Sequence, residues 1–151
     1  MNYLLSPQTW IVIVATLIVV TLCIGLHFEI LSRCRRYLTL LSQQRRRRVL
    51  ILIFIILFAH TVEIWLFALG YLTLIHGFGI GSLSGLEANL LPDYVYYSAM
   101  VYTTVGFGDV LPTGAIRFLS GMEALTGLVM ITWSASYTFL EMQRDWPSGK
   151  S

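Results

Sequence analysis

Three long runs of nearly unbroken apolar residues and one short run divide the chain. The first run extends from Trp10 to about Leu31. As a helix its 22 residues reach about 33 Å, enough for a bilayer core of about 30 Å. The second, from Val49 to about Ile75, would reach about 40 Å and must tilt or protrude. The third, from about Phe118 to Leu140, reaches about 35 Å. Between the second and third, Gly77, Gly79, Gly81 and Gly85 mark a flexible outer loop. Pro92 and Asp93 then suit the first turn of a short helix. The aromatic and apolar segment from Asp93 to Thr103 is only about 16 Å long as a helix, half a membrane. It must enter and leave on the same side, with its backbone covered by protein or water.

Composition agrees with this division. Of 151 residues 56% are hydrophobic and 12% charged, with a mean hydropathy of +0.73. A soluble domain carries about twice that charge, and one of this size could not hide so much apolar surface. Soluble enzymes and disordered chains are therefore excluded. The first nine residues contain no Lys or Arg, so the charged start of a secretory signal is missing. Cys23 and Cys34 have neither disulfide-framework nor zinc-finger spacing. Both read as structural, with Cys34 in a basic segment where its thiol would be exposed.

The net charge of +2 matters less than its placement. Seven of the ten basic residues fall between Arg33 and Arg48, in what reads as a loop. The positive-inside rule places it in the cytoplasm, with the N-terminus and the re-entrant segment outside and the C-terminus, with Arg144 and Lys150, inside. Trp10 and Trp146 then fall near opposite interfaces. Arg45, Arg46, Arg47 and Arg48 serve first as a topology signal and second as a contact for anionic lipid, at about 1 kcal/mol per residue. The run is too short and too closely tethered to the membrane for nucleic acid.

The short helix leads into Thr103-Thr104-Val105-Gly106-Phe107-Gly108-Asp109. A cation crossing lipid must exchange its water for other oxygens, and a column of backbone carbonyls supplies many weak ones. Such a column needs the backbone to alternate with left-handed positions, which glycine adopts at little cost. Gly106 and Gly108 provide that alternation. The Thr104 hydroxyl adds oxygens at the inner end, while Val105 and Phe107 point away from the axis and brace it. The partial negative charge at the helix C-terminus favours a cation there.

This segment resembles the selectivity filter of the potassium channel pore-domain family, whose motif is Thr-Val-Gly-Tyr-Gly-Asp. The order of outer helix, loop, pore helix, filter and inner helix is similar as well, over roughly residues 49–143. The resemblance implies an all-α integral membrane protein. Each subunit would have three transmembrane helices plus a re-entrant pore helix and filter, assembled as a homotetramer in the cell membrane. It divides the chain into an N-terminal helix and basic loop (1–48), a pore domain (49–143) and a short cytoplasmic tail (144–151). Within the pore domain it expects an outer helix at 49–75, a pore helix at about 92–103, a filter at 103–109 and an inner helix at about 117–141. It also implies that Thr104, Val105, Gly106, Phe107 and Gly108 bind permeant K+, with no organic cofactor, and that Asp109 sits at the outer mouth. Tyr96 and Tyr97 would form the aromatic cuff, one of them holding the aspartate. Gly127, ten residues after Arg117, would be the inner-helix hinge. In the same register Leu128, Ile131 and Ala135 face the cavity and Phe139 narrows the inner mouth.

The chain departs from the family in three ways. Phe107 replaces a tyrosine and loses a hydroxyl that braces the filter. An extra helix precedes the pore unit, without the regularly spaced arginines of a voltage sensor. No ligand-binding domain is recognisable after the inner helix. The competing functions are a weakly selective cation channel and a non-conducting membrane subunit or scaffold. An enzyme is disfavoured because no nucleophile–base set appears.

Five ionisable groups remain inside the apolar runs. His27 and Glu29 near the end of the first run should lie toward the interface. His60 and Glu63 share one face of the second helix. Two ligands fall short of a metal site, so a hydrogen-bonded pair at a helix interface is expected. Glu123 either reaches behind the filter or packs as a hydrogen-bonded residue; both readings stand. The hydroxyls of Thr126, Thr132, Ser134, Ser136 and Thr138 suit an inner helix beside a wet cavity.

Overall fold

The computed structural model describes residues 6–40, 45–85 and 90–145. They form α1 (Pro7–Leu40), α2 (Arg45–Leu72), a π turn (Thr73–Gly77), β1 (Ser82–Ser84), α3 (Leu91–Tyr102), β2 (Leu111–Thr113) and α4 (Ile116–Asp145). Three helical stretches are long and apolar enough to cross a membrane: Pro7–Tyr37, Arg47–Gly77 and Ile116–Gln143. Although rich in Val and Ile, these stretches are helical, because a helix satisfies every backbone group within the segment and lipid offers no other partner. Trp146 and Lys150 lie outside the described residues.

Two helices differ in extent from the sequence reading. α1 continues nine residues past Leu31, so Arg33, Arg35 and Arg36 lie on a helix and not in a loop. No Gly or Pro interrupts that stretch, and arginine and leucine are strong helix formers. An exposed ion pair between Arg33 and Glu29, one turn apart at 2.7 Å, lies along it. α2 already starts at Arg45, and its C-terminal end widens into the π turn before Ile75.

α1 packs on both α2 and α4, and α3 is wedged between α2 and α4. The main core gathers Val12 and Cys23 of α1, Phe67 and Tyr71 of α2, Tyr94, Tyr97 and Tyr102 of α3, and Leu119 and Met130 of α4. A smaller cluster at the opposite end joins Cys34 to Leu52. Cys34 is only 3% exposed, so the expectation of an exposed thiol is corrected: the extension of α1 carries it into the α1–α2 seam.

The outer loop is more ordered than its glycines suggest. β1 and β2 pair antiparallel, Ser82 with Thr113, Leu83 with Pro112 and Ser84 with Leu111. The ribbon ties the loop before α3 to the segment after residue 109. Gly85, at φ +96°, lies so close to Asp109 that a Cβ would overlap its carbonyl. At the start of α3, the Leu90 backbone N–H donates to the Asp93 carboxylate at 2.9 Å. The Tyr94 hydroxyl and His76 Nε2 of the π turn are 3.0 Å apart.

Gly127 is buried where α4 crosses the end of α3. A Cβ there would overlap the Tyr102 carbonyl and come within 3.0 Å of the Tyr102 ring. Overpacking of this kind costs about 1–3 kcal/mol or more. Gly127→Ala should therefore lower the melting temperature in detergent; an unchanged value would mean that the helices do not approach so closely.

Candidate functional site

α3 ends at Tyr102, and its last carbonyls are closed locally. The Thr103 N–H and hydroxyl both reach the Ala99 carbonyl, at 3.1 and 2.7 Å. The Thr104 N–H donates to Val101 at 2.9 Å and that of Gly106 to Met100 at 3.2 Å. The chain then alternates: Thr104 (φ +60°), Gly106 (+50°) and Gly108 (+80°) are left-handed. The sequence suggested this pattern at the glycines alone. Thr104 is the single non-glycine residue with positive φ among those described, at a strain of about 1–2 kcal/mol.

Residues 103–109 are exposed on one face of the subunit. Val105 is 54% and Phe107 72% exposed, so their own subunit does not cover the side chains expected to brace the column. A cavity of about 200 Å³ lies behind the segment, lined by Tyr96, Met100, Val101, Phe107, Val110 and Pro112 among others.

Tyr96 and Tyr97 point to different partners. The Tyr96 hydroxyl donates to Asp109 Oδ2 at 2.6 Å. That bond, joined by the backbone N–H groups of Asp109 and Val110, holds the Asp109 carboxyl below its ordinary range. The Tyr97 hydroxyl and Ser120 Oγ on α4 are 2.8 Å apart. Beside them, Tyr71 of α2 donates to Glu123 at 2.5 Å and lies 3.1 Å from Ser120. Ser98 of α3 also donates to Glu123, and its oxygen is 2.8 Å from the Ile64 carbonyl. Glu123 is thus a buried crosslink of α2, α3 and α4.

A second buried carboxylate stands at the inner end of α3. Tyr102 donates to Glu63 of α2, whose other oxygen is 2.8 Å from His27 Nδ1. His60 Nδ1 is 3.0 Å from Glu63 and 2.9 Å from the Tyr102 oxygen. Ser134 Oγ of α4 closes the group, 3.1 Å from His27 Nε2 and 3.2 Å from His60 Nε2. The placement of His27 near the interface is corrected: it is fully buried, because the longer α1 sets it mid-helix against Glu63. The His60–Glu63 pair forms as expected, but within a cluster that draws on all four helices.

On α4, Leu128, Ile131, Ala135 and Phe139 are exposed on the isolated subunit. Ile131, Ala135 and Phe139 line an open hollow of about 470 Å³ with Ile53, His60 and Met142. Thr126, Thr132, Ser136 and Thr138 bond to carbonyls one turn back in their own helix, at 2.7–2.9 Å. Of the five hydroxyls noted in the sequence, Ser134 is the one with a bond to another helix.

Two outcomes follow. Glu123→Ala would remove the acceptor that Tyr71 and Ser98 share and leave each with one other partner, Ser120 and the Ile64 carbonyl, a loss of about 1–3 kcal/mol, and Glu123→Gln much less. Thermal unfolding of both variants checks this, and equal losses would contradict it. In Tyr96→Phe the Asp109 pKa should rise toward an ordinary carboxylate, read by carboxyl NMR titration. Because the folded pKa is lowered, the bond adds stability above the ordinary carboxylate range. That stability is lost as pH falls through the lowered value.

Comparison with known proteins agrees with this architecture. The ion channel family profile matches residues 49–144. Protein LctB of Bacillus caldotenax is 32% identical over 85 residues, covering 45% of this chain and 63% of its own length. Protein LctB of Geobacillus stearothermophilus is 35% identical over 63 residues, 42% of this chain and 47% of its own. Two-pore potassium channel 4 of Arabidopsis thaliana is 37% identical over 51 residues, 33% of this chain and 18% of its own. The chain thus spans less than two thirds of the length of each of these relatives. No solved structure matches it significantly. The chain belongs to the ion channel family, as a predominantly helical membrane protein and not an enzyme.

Proposed function

We propose that four copies of the chain surround one axis and conduct K+ passively, with selectivity set by residues 104–108. The observation that carries this reading is the left-handed alternation at Thr104, Gly106 and Gly108, directly after a half-length helix. It lets successive carbonyls line one path, where they replace the hydration shell of K+. The exposed face of residues 103–109 supports assembly, since one copy cannot enclose an ion. In this reading Asp109, held by Tyr96, is the outer mouth, and Tyr97 anchors the pore helix to α4. Leu128, Ile131 and Ala135 face the cavity, Phe139 narrows the inner mouth, and Gly127 is the point about which α4 bends.

The pore unit is residues 49–143, and the basic residues from Arg33 to Arg48 face the cytoplasm of the cell membrane. Arg45 to Arg48 occupy the first turn of α2, where the helix dipole disfavours cations. Anionic lipid head groups would offset that repulsion.

Flux into liposomes tests the reading. Purified protein should pass K+ in preference to Na+ and be blocked by Ba2+. Equal Na+ and K+ flux would replace it with a weakly selective cation channel, consistent with the hydroxyl missing from Phe107. No flux would favour a non-conducting subunit. Gly108→Ala should abolish selective flux while the protein stays folded. A Cβ there has open space around it, so the penalty is the left-handed backbone and not a clash within the subunit. Wild-type selectivity in that variant would count against the filter.

A further inference from the structure

We propose that His27, His60 and Glu63 form a binding site for a divalent transition cation of the zinc class, at the inner end of the pore helix. One ligand atom from each lies within 4.8 Å of the other two. Both histidines present Nδ1 to the same carboxylate, at 2.8 and 3.0 Å. Zinc binds imidazole nitrogen and carboxylate oxygen at about 2.0–2.2 Å, which places neighbouring ligands about 3.3 Å apart. Small side-chain movements bring the set to that spacing. The Tyr102 oxygen lies beside the set, 2.9 Å from His60 Nδ1. Two imidazoles and a carboxylate are ligands that zinc and its neighbours accept.

The hydrogen-bond partners also suit a cation at this point. If both histidines are neutral and donate Nδ1–H to Glu63, both Nε2 atoms become acceptors facing Ser134. That serine has one proton to give, so without a metal the two histidines must take opposite tautomers, His60 Nδ1 accepting from Tyr102. A metal at both Nδ1 atoms gives the two histidines one tautomer. Each Nε2–H then donates to Ser134 Oγ, whose two lone pairs match the two donors. Ser134 thereby takes the part of the outer group that orients metal-bound histidines. The positive ion also compensates Glu63, a carboxylate otherwise buried beside the negative end of α3.

Access is available through His60, whose side chain is 14% exposed. It opens on the hollow lined by Ile131, Ala135 and Phe139. The site joins α1, α2 and the last residue of α3, immediately before Thr103 and Thr104, so occupancy fixes the base of residues 104–108 relative to the outer helices. Binding itself does not depend on conduction, so a failure of the channel reading would leave this inference standing.

The test uses purified full-length protein in detergent, loaded with Co2+ as a visible probe and then titrated with Zn2+. Wild type should show the intense absorption bands of four-coordinate Co2+, displaced by about one equivalent of Zn2+ per chain. Zinc should also raise its melting temperature. His27→Gln and His60→Gln should lose the bands. Ser134→Ala should keep them with affinity lowered about 10–100-fold. His76→Ala, which alters a histidine paired with Tyr94 at the other end of α3, should bind as wild type does. Absence of Co2+ bands in wild type would overturn the proposal and leave the cluster with a proton as its cation. Unchanged binding in folded His27→Gln would overturn it equally.

Discussion

A helix that ends in mid-membrane must be held from behind. Lipid cannot satisfy the polar groups at its end, and a 12-residue helix has no second interface on which to rest. Two buried carboxylates meet this constraint. Glu123 receives the hydroxyls of Tyr71 and Ser98 along the middle of α3, and Glu63 receives that of Tyr102 at its tip. Each bond crosses between elements, so α3 cannot slide or rotate without leaving a carboxylate partly unpaired in a dry interior. Gly127 adds a steric stop, because α4 approaches the Tyr102 backbone with no side chain between them. The positions of Thr103 and Thr104 follow from these restraints.

The outer end is held in a different way. There Tyr96 and Asp109 meet in an exposed setting, the β1–β2 ribbon closes over the loop, and Gly85 comes against the Asp109 carbonyl. Water can compete for these contacts. Surface hydrogen bonds contribute less than the buried ones around Glu63 and Glu123, since the alternative to a surface bond is solvation and not an orphaned charge. The segment between is thus anchored rigidly at its inner end and more softly at its outer end. Phe107 accentuates the difference, because its ring can make no hydrogen bond into the cavity behind it.

What the sequence made legible was local. Run lengths located the spans, and Pro92 and Asp93 marked the start of α3. The close-set glycines 106 and 108 announced a left-handed pattern within a few residues. The parts that were not legible depend on distant partners. Glu63 and His27 are 36 positions apart, and nothing in either helix pattern says that they touch. His27 seemed to lie near an interface only because the apolar run stops at Leu31, whereas the helix itself continues. The same extension moved Cys34 into a seam and put Arg33, Arg35 and Arg36 on a helical surface. Hydrophobicity measures what lipid tolerates, while helix length follows from the absence of breakers, and the two boundaries need not coincide. The left-handed Thr104 was hidden for another reason: threonine rarely adopts that conformation, and here the closed end of α3 imposes it.

These long-range partners also give α1 a place in the architecture. An added helix that only filled space would contribute apolar contacts, and Val12 and Cys23 do so. His27 goes further, since its two nitrogens face Glu63 of α2 and Ser134 of α4. Removing α1 would therefore expose more than apolar surface. It would open one side of a buried carboxylate and leave Ser134 with a single imidazole. In a membrane interior that penalty is larger than the loss of a few methyl contacts, because neither lipid nor water can replace the lost partner. α1 is thus bound to α2 and α4 by a polar requirement at the C-terminal end of α3, the point on which residues 104–108 rest.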